Sequence, residues 1–163
     1  MLRISALRQP VAYDLRFLTT ALKLVTDLER IGDEAVNIAE GANEAHGLAK
    51  GRIGALLKRM SEQAQQMVRD ALDAFVEGEV TRAEQVLQRD DAVDQAYGEV
   101  LDAMTELMRE TPDEIPAAIR VIKVAKYIER IADHATNIAE EVIFMVRGED
   151  VRHLRTHPPP KAV

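Results

Sequence analysis

Apolar residues recur every three or four positions along four long stretches of the chain, which is the spacing of amphipathic α-helices. The pattern predicts helices over about residues 10–45, 52–77, 81–109 and 112–146. No stretch shows the strict alternation of apolar and polar residues that is typical of a half-buried strand. The sequence therefore predicts an all-α protein built from four long helices.

Proline, glycine and threonine residues separate these stretches. The predicted helix starts are Pro10, a capping box from Thr81 to Glu84, and Thr111 followed by Pro112. The predicted helix stops are Gly41, Gly47, Gly78 and Gly148. The segment 47–51, with a glycine at each end, is predicted to be the main linker and the boundary between two structural units.

One motif occurs twice, one hundred residues apart. Residues 29–40 read ERIGDEAVNIAE and residues 129–140 read ERIADHATNIAE, with nine of the twelve positions identical and no gap. A match of this length indicates an internal duplication. The first predicted helix is therefore the counterpart of the fourth.

The short loops after the second and third helices predict that helices two, three and four form an antiparallel three-helix bundle. The first helix carries its own apolar stripe, formed by Leu15, Leu18, Leu22, Val25, Leu28, Ile31, Ala35 and Ile38. Because such a stripe has to be buried, this helix is expected either to fold back and complete a four-helix bundle or to pack in another copy of the chain.

Composition supports an all-helical fold and excludes some classes of function. The 163 residues include 47% hydrophobic but only 4% aromatic residues and no Trp, which indicates an aliphatic helical core. A net charge of −7 argues against a non-specific nucleic-acid surface and suits cations or a basic partner. The absence of cysteine excludes disulfides and thiolate sites. Without an apolar run of about 20 residues or a signal peptide, a cytoplasmic protein is expected.

The duplicated motif carries acidic and amide side chains along one side of each helix. On a helix, Glu29, Asp33, Asn37 and Glu40 fall within roughly 80° of one another, as do Glu129, Asp133, Asn137 and Glu140. The opposite side is predicted to be core, with Leu28, Ile31, Ala35 and Ile38 in the first copy and Ile128, Ile131, Ala135 and Ile138 in the second. Rows of oxygen ligands suit hard cations, and Asp90 and Asp94 are placed to complete a site from the third helix.

A solvated helix face explains the same rows without any metal, with Arg30 and Arg130 paired to neighbouring acids. His134 is not repeated in the first copy and is predicted to be a surface residue. No Glu-x-x-His pair, phosphate-binding glycine loop or nucleophile motif is present in the sequence. An enzyme is therefore the weaker class.

Five motifs together give the chain a resemblance to the PhoU family over about residues 5–153. They are RQPVAYDLR at 8–16, LERIGD at 28–33, DDAVDQ at 90–95, YIERIAD at 127–133 and GEDVRH at 148–153. The resemblance implies a fold of two similar three-helix bundles in tandem, with metal clusters at Glu/Asp-x-x-x-Asp motifs. Carried over, the metal ligands are Glu29, Asp33, Asp90, Asp94, Glu129 and Asp133, with Asn37 and Asn137 as further candidates.

The chain resembles the family only from the family's third helix onward. It is thus expected to comprise the last helix of an incomplete first bundle (residues 1–47), a second bundle (52–147) and a tail (148–163) that is disordered at its end. The acids of the missing second helix would face Glu29 and Asp33, so the first metal site is the less secure of the two.

The implied role is repression of the phosphate-starvation response by a non-catalytic adaptor. Its implied partners are the ATPase of the phosphate ABC transporter and a membrane sensor histidine kinase. It is expected to contact the membrane only through these partners and to bind no nucleic acid. The implied ions are Mg, Mn, Fe or Zn, with identity open, and a homodimer is expected. A carboxylate-ligand metal-storage protein and an inert helical dimerisation module remain as alternatives.

Overall fold

The computed structural model describes residues 12–44 and 47–151. The helices are α1 (Ala12–Glu44), α2 (Gly51–Glu77), α3 (Val80–Glu110) and α4 (Ile115–Arg147), with a 3₁₀ turn at Pro112–Glu114. Within those ranges there is no strand, and the all-α prediction is confirmed. No helix in the described part carries an apolar stretch long enough to cross a bilayer. The predictions for Pro10 and the end of the tail fall outside the described residues.

Glycine ends two of the helices as predicted. Gly78 and Gly148 adopt left-handed conformations, with φ of 65° and 75°, which only glycine adopts without strain. Gly41 does not end α1, which continues through it to Glu44. The predicted Thr81 capping box is wrong, because α3 begins one residue earlier, at Val80, and no side chain caps it.

Helices α2, α3 and α4 form the predicted antiparallel bundle around an aliphatic core. Buried residues recur at spacings of three and four, which is the knobs-into-holes pattern of helical bundles. They include Met60, Ala64, Met67 and Ala71 of α2, Val86, Val93, Ala96 and Val100 of α3, and Val121, Ala125, Ile128 and Ala132 of α4. Helix α4 packs against each of the other three helices and is therefore the central element.

Helix α1 folds back and packs antiparallel along α4. At one end, Arg16 Nε donates a hydrogen bond to the carbonyl oxygen of Met145, 3.0 Å away. At the other end, Gly41 lies so close to Val124 that a Cβ on the glycine would come within 2.7 Å of the valine Cγ2. The two copies of the duplicated motif thus lie against each other in opposite directions.

The predicted core stripe of α1 is largely wrong. Leu15, Leu22 and Val25 are exposed, whereas Thr20 and Leu24 are buried. The exposed side chains project away from α4, because α4 receives a different face of α1. Tertiary packing decides which face of α1 contacts α4. Because this contact face is more polar than the predicted stripe, hydrophobic periodicity selects the wrong side of the helix.

The close approach of Gly41 to α4 predicts opposite effects for two glycine substitutions in α1. We expect Gly41→Ala to destabilise the protein by about 1–3 kcal/mol, because Val124 is buried and has little room to move. Gly32→Ala is the matched control, since its added Cβ meets no atom within 4 Å. This control is expected to gain about 0.5–1 kcal/mol of helix propensity. Urea unfolding measures both; a Gly41→Ala variant as stable as Gly32→Ala would contradict the observed contact.

Candidate functional site

Four carboxylates of α3 and α4 lie close enough to affect one another's charge. We name Asp90, Asp94, Glu129 and Asp133 the α3–α4 acidic strip. The pKa of Asp133 is raised from 3.8 to about 6 by partial burial and then by Glu129, Asp90 and Asp94. The pKa of Asp94 is also raised, first by burial and then by Asp90 and Glu129. The expected placement of Asp90 and Asp94 beside the second copy of the motif is therefore observed.

Lys126 supplies a positive charge beside this strip. Its Nζ lies 2.6 Å from Glu129, and that hydrogen bond is the main reason why the pKa of Lys126 is raised. The same Nζ lies 5.4 Å from the centroid of the Tyr97 ring, within the range of a cation–π contact. Lys126 thus offsets part of the negative charge of the strip.

The strip has the donor chemistry of a hard-cation site, since all four side chains offer carboxylate oxygens. Across residues 12–44 and 47–151, however, no three histidine, aspartate or glutamate side chains converge closely enough to hold a metal ion. A metal at the strip therefore stays a prediction.

The first copy of the motif has different surroundings. Glu29 and Asp33 are exposed on α1, and Asn37 donates a hydrogen bond to Glu34 at 3.1 Å. Asp33 shares with Asp133 and Asn137 a cavity of about 460 Å³ between α1 and α4. The other residues lining that cavity are Arg30, Glu34, Arg130 and His134. The acids of the first copy therefore lie near cationic side chains at the α1–α4 interface, whereas those of the second copy lie near the carboxylates of α3.

The α1–α4 interface also contains polar residues that sequence analysis assigned wrongly or missed. His134 is mostly covered by α1, with Nδ1 2.9 Å from Asp27 and its side chain 13% exposed, so the prediction of a surface residue is wrong. Arg130 contacts Glu34 of the other helix at 3.2 Å, instead of an acid on its own helix. The sequence does contain a signal for His134. Position 134 is one of the three positions at which the two copies of the motif differ.

The pKa of Asp133 predicts how stability depends on pH. A carboxyl group whose pKa is raised on folding contributes stability when protonated and loses it as pH rises through the folded value, here about 6. At about pH 8 we expect Asp133→Asn to stabilise the protein by about 1 kcal/mol after allowance for solvent screening, or roughly 2–4 °C in Tm. The difference should shrink as pH falls from about 7 to about 4. Thermal unfolding across this range measures it; an unchanged difference would contradict the assignment.

Comparisons with known proteins agree with this architecture. A family model described as "PhoU domain" matches residues 1–42 and 57–142. The phosphate-specific transport system accessory protein PhoU homolog of Pseudomonas putida is 43% identical over 153 residues, covering 93% of this chain and 60% of the relative. The corresponding homolog of Clostridium acetobutylicum is 37% identical over 152 residues, covering 93% and 69%.

Two solved structures are similar in fold. The crystal structure of PhoU from Pseudomonas aeruginosa has a TM-score of 0.84 at 41% identity, over 91% of this chain and 71% of that one. The phosphate transport system regulatory protein PhoU from Streptococcus pneumoniae has a TM-score of 0.82 at 30% identity, over 92% and 70%. The chain spans 60% of the length of the Pseudomonas putida relative and 69% of that from Clostridium acetobutylicum.

Proposed function

This chain belongs to the PhoU family, and we propose that it is a non-catalytic regulator of phosphate uptake and of the phosphate-starvation response. The observation that carries the proposal is the family match on both sides of the linker, at residues 1–42 and 57–142. The relatives named as accessory proteins of the phosphate-specific transport system support it. Because the chain spans only part of those relatives, their role as whole proteins is proposed for it.

The proposed mode of action is that of an adaptor in the cytoplasm. One surface would bind the ATPase of the phosphate ABC transporter and another a sensor histidine kinase, so that the kinase is held in its repressing state while phosphate is plentiful. The net charge of −7 favours partners with basic patches, because complementary charge steers association and selects partners. Contact with the membrane would be made through these partners, and the regulator is expected to act as a homodimer.

We place a proposed cation site at the α3–α4 acidic strip. Asp90, Asp94, Glu129 and Asp133 would hold the ion, and Mg, Mn, Fe or Zn remain the candidates. The raised pKa values of Asp94 and Asp133 support this, because they reflect partial burial and then the negative charge of neighbouring carboxylates, both of which a bound cation would offset. We do not extend the proposal to Glu29, Asp33 or Asn37 of α1, since the cavity that Asp33 lines is also lined by Arg30 and Arg130.

The adaptor role is tested by mixing the purified chain with the purified ATPase subunit and with the cytoplasmic portion of the kinase. We expect each partner to co-elute with the chain on size exclusion, with an affinity that weakens as salt is raised. Bovine serum albumin, which is also acidic, serves as a control for general charge effects on the partners. If neither partner binds a folded chain at low salt, the adaptor proposal is wrong.

A further inference from the structure

A surface cavity of about 370 Å³ lies where the last turns of α1 meet the first turns of α4. We name it the α1–α4 basic pocket. Its lining residues include Glu40 and Gly41 of α1 and Arg120, Lys123 and Tyr127 of α4. Two cationic side chains and one carboxylate line it, so the pocket is positive in a chain whose net charge is −7. A local excess of positive charge attracts anions.

The internal duplication supplies a counterpart of this pocket at the other end of the α1–α4 interface. The counterpart is a cavity of about 270 Å³. Its lining residues Lys23, Asn137, Glu140 and Glu141 are equivalent to Lys123, Asn37, Glu40 and Gly41 of the α1–α4 basic pocket. Because the two cavities are built from equivalent positions, the differences between them indicate what each can bind.

The first difference is the negative charge beside the lysine. Lys23 Nζ lies 2.7 Å from the Glu141 carboxylate, so the protein itself supplies the counter-ion. The residue equivalent to Glu141 is Gly41, and its closeness to Val124 leaves little room for a side chain. The pocket of Lys123 therefore lacks the carboxylate that its counterpart contains. A bound anion would take the place of that carboxylate.

Two further differences favour an anion. Tyr127 is equivalent to Asp27, which lines the counterpart, so a hydroxyl group replaces a carboxylate. Arg120 is equivalent to Thr20, so a cation replaces a neutral side chain. Arg120 and Lys123 are three residues apart on α4 and therefore lie on the same side of the helix. Guanidinium, ammonium and hydroxyl groups are the donors that bind oxyanions in proteins.

Glu40 makes the pocket selective among oxyanions. At neutral pH inorganic phosphate still carries a hydroxyl group, whereas sulfate, which has the same shape, carries none. A carboxylate accepts a hydrogen bond from the phosphate hydroxyl but repels the bare oxygens of sulfate. One carboxylate beside two cations is therefore a better match for phosphate than for sulfate.

We propose that the α1–α4 basic pocket binds inorganic phosphate. Arg120, Lys123 and Tyr127 donate to the phosphate oxygens, and Glu40 accepts a hydrogen bond from the phosphate hydroxyl. The pocket shares no residue with the α3–α4 acidic strip. Its regulatory meaning rests on the proposed function, because direct binding would let the regulator respond to phosphate itself. The binding is a separate claim about the purified chain.

Helices packed on the outer side of α1 need not cover this pocket. The counterpart cavity is lined by the last turns of α4, a helix that packs against both α2 and α3, and it is nevertheless open. A helix pair packed on α1 in the same way would therefore leave the α1–α4 basic pocket open to a small anion.

Isothermal titration calorimetry of the purified chain with inorganic phosphate, at constant ionic strength, tests the site. We expect saturable binding, and we expect Lys123→Gln to weaken it at least about 10-fold, because this change removes a charge-assisted hydrogen bond. Lys23→Gln is the matched control, since it removes the same charge from the counterpart cavity. It should bind phosphate as the wild type does. Circular dichroism checks that both variants keep their helices.

Absence of phosphate binding by the folded wild type would overturn the proposal. Equal weakening by the two lysine variants would overturn it as well, because phosphate would then respond to overall charge and not to this pocket.

Sulfate tests the role of Glu40. The wild type should bind sulfate at least about 10-fold more weakly than phosphate, because a carboxylate facing bare sulfate oxygens is unfavourable. Glu40→Gln should remove most of this difference, since its amide can donate to sulfate. A wild type that binds both anions equally would overturn the assignment of phosphate as the ligand.

The titrations are independent of the partners in the proposed function. A chain that binds phosphate but neither the ATPase nor the kinase would support the pocket and contradict the adaptor role. A chain that binds a partner but no phosphate would support the adaptor role and overturn the pocket.

Discussion

Ile138→Ala is expected to lower the free energy of unfolding by about 3 kcal/mol, because it leaves a cavity in a close-packed core. Ile138 lies in the second copy of the duplicated motif and is fully buried on α4. Its counterpart one hundred residues earlier, Ile38, is only partly buried on α1. Ile38→Ala is therefore the matched control, with an expected loss of about 1 kcal/mol, since less apolar surface leaves water on folding.

Urea unfolding followed by circular dichroism measures the two losses. The difference between them reports the unequal burial of two positions that are identical in sequence context. Equal losses would mean that α1 buries this position as deeply as α4 does. The description of α1 as a peripheral helix would then be wrong.

A divalent cation that binds the α3–α4 acidic strip is expected to stabilise the folded protein by about 2.7 kcal/mol at a concentration 100 times its Kd. The physical reason is that the cation offsets the partial burial and the carboxylate repulsion that together raise the pKa of Asp94 and of Asp133. Replacing both residues by asparagine should abolish this gain. When no cation is present at neutral pH, the double variant should also be more stable than the wild-type protein.

Thermal unfolding with Mg, Mn, Fe(II) and Zn salts, tested one at a time, measures the gain and identifies the ion. A Glu29→Gln, Asp33→Asn variant of α1 is the control, because it also removes two carboxylates, but from the first copy of the motif. It should retain the full gain. If the strip variant, the α1 variant and the wild type are stabilised equally, the cations act by general screening and the proposed site is wrong.

The extent of the four helices and the core of the bundle were predictable from sequence. Helix ends at Gly78 and Gly148 follow from the conformational freedom of glycine, and the buried side of α4 follows from its apolar spacing. The approach of Asp94 to the second motif was also foreseeable, because a short loop makes α3 and α4 antiparallel neighbours.

The orientation of α1 was not predictable, because α4 can meet any face of a helix that carries more than one apolar stripe. The observed contact face buries Thr20, and its hydroxyl donates to the carbonyl oxygen of Glu141 at 3.4 Å. It also pairs Lys23 with the side chain of Glu141 at 2.7 Å. Periodicity methods treat such polar residues as surface, since polar groups are buried only when another element supplies their partners.

The most direct test of the regulatory role is a reporter assay in a phosphate-responsive bacterium that lacks its own PhoU protein. The chain is expressed there together with a reporter driven by a phosphate-starvation promoter. With phosphate plentiful, the account predicts that the wild-type chain lowers reporter expression relative to the empty vector. Reporter expression that stays at the empty-vector level, with the chain folded and abundant, would contradict it.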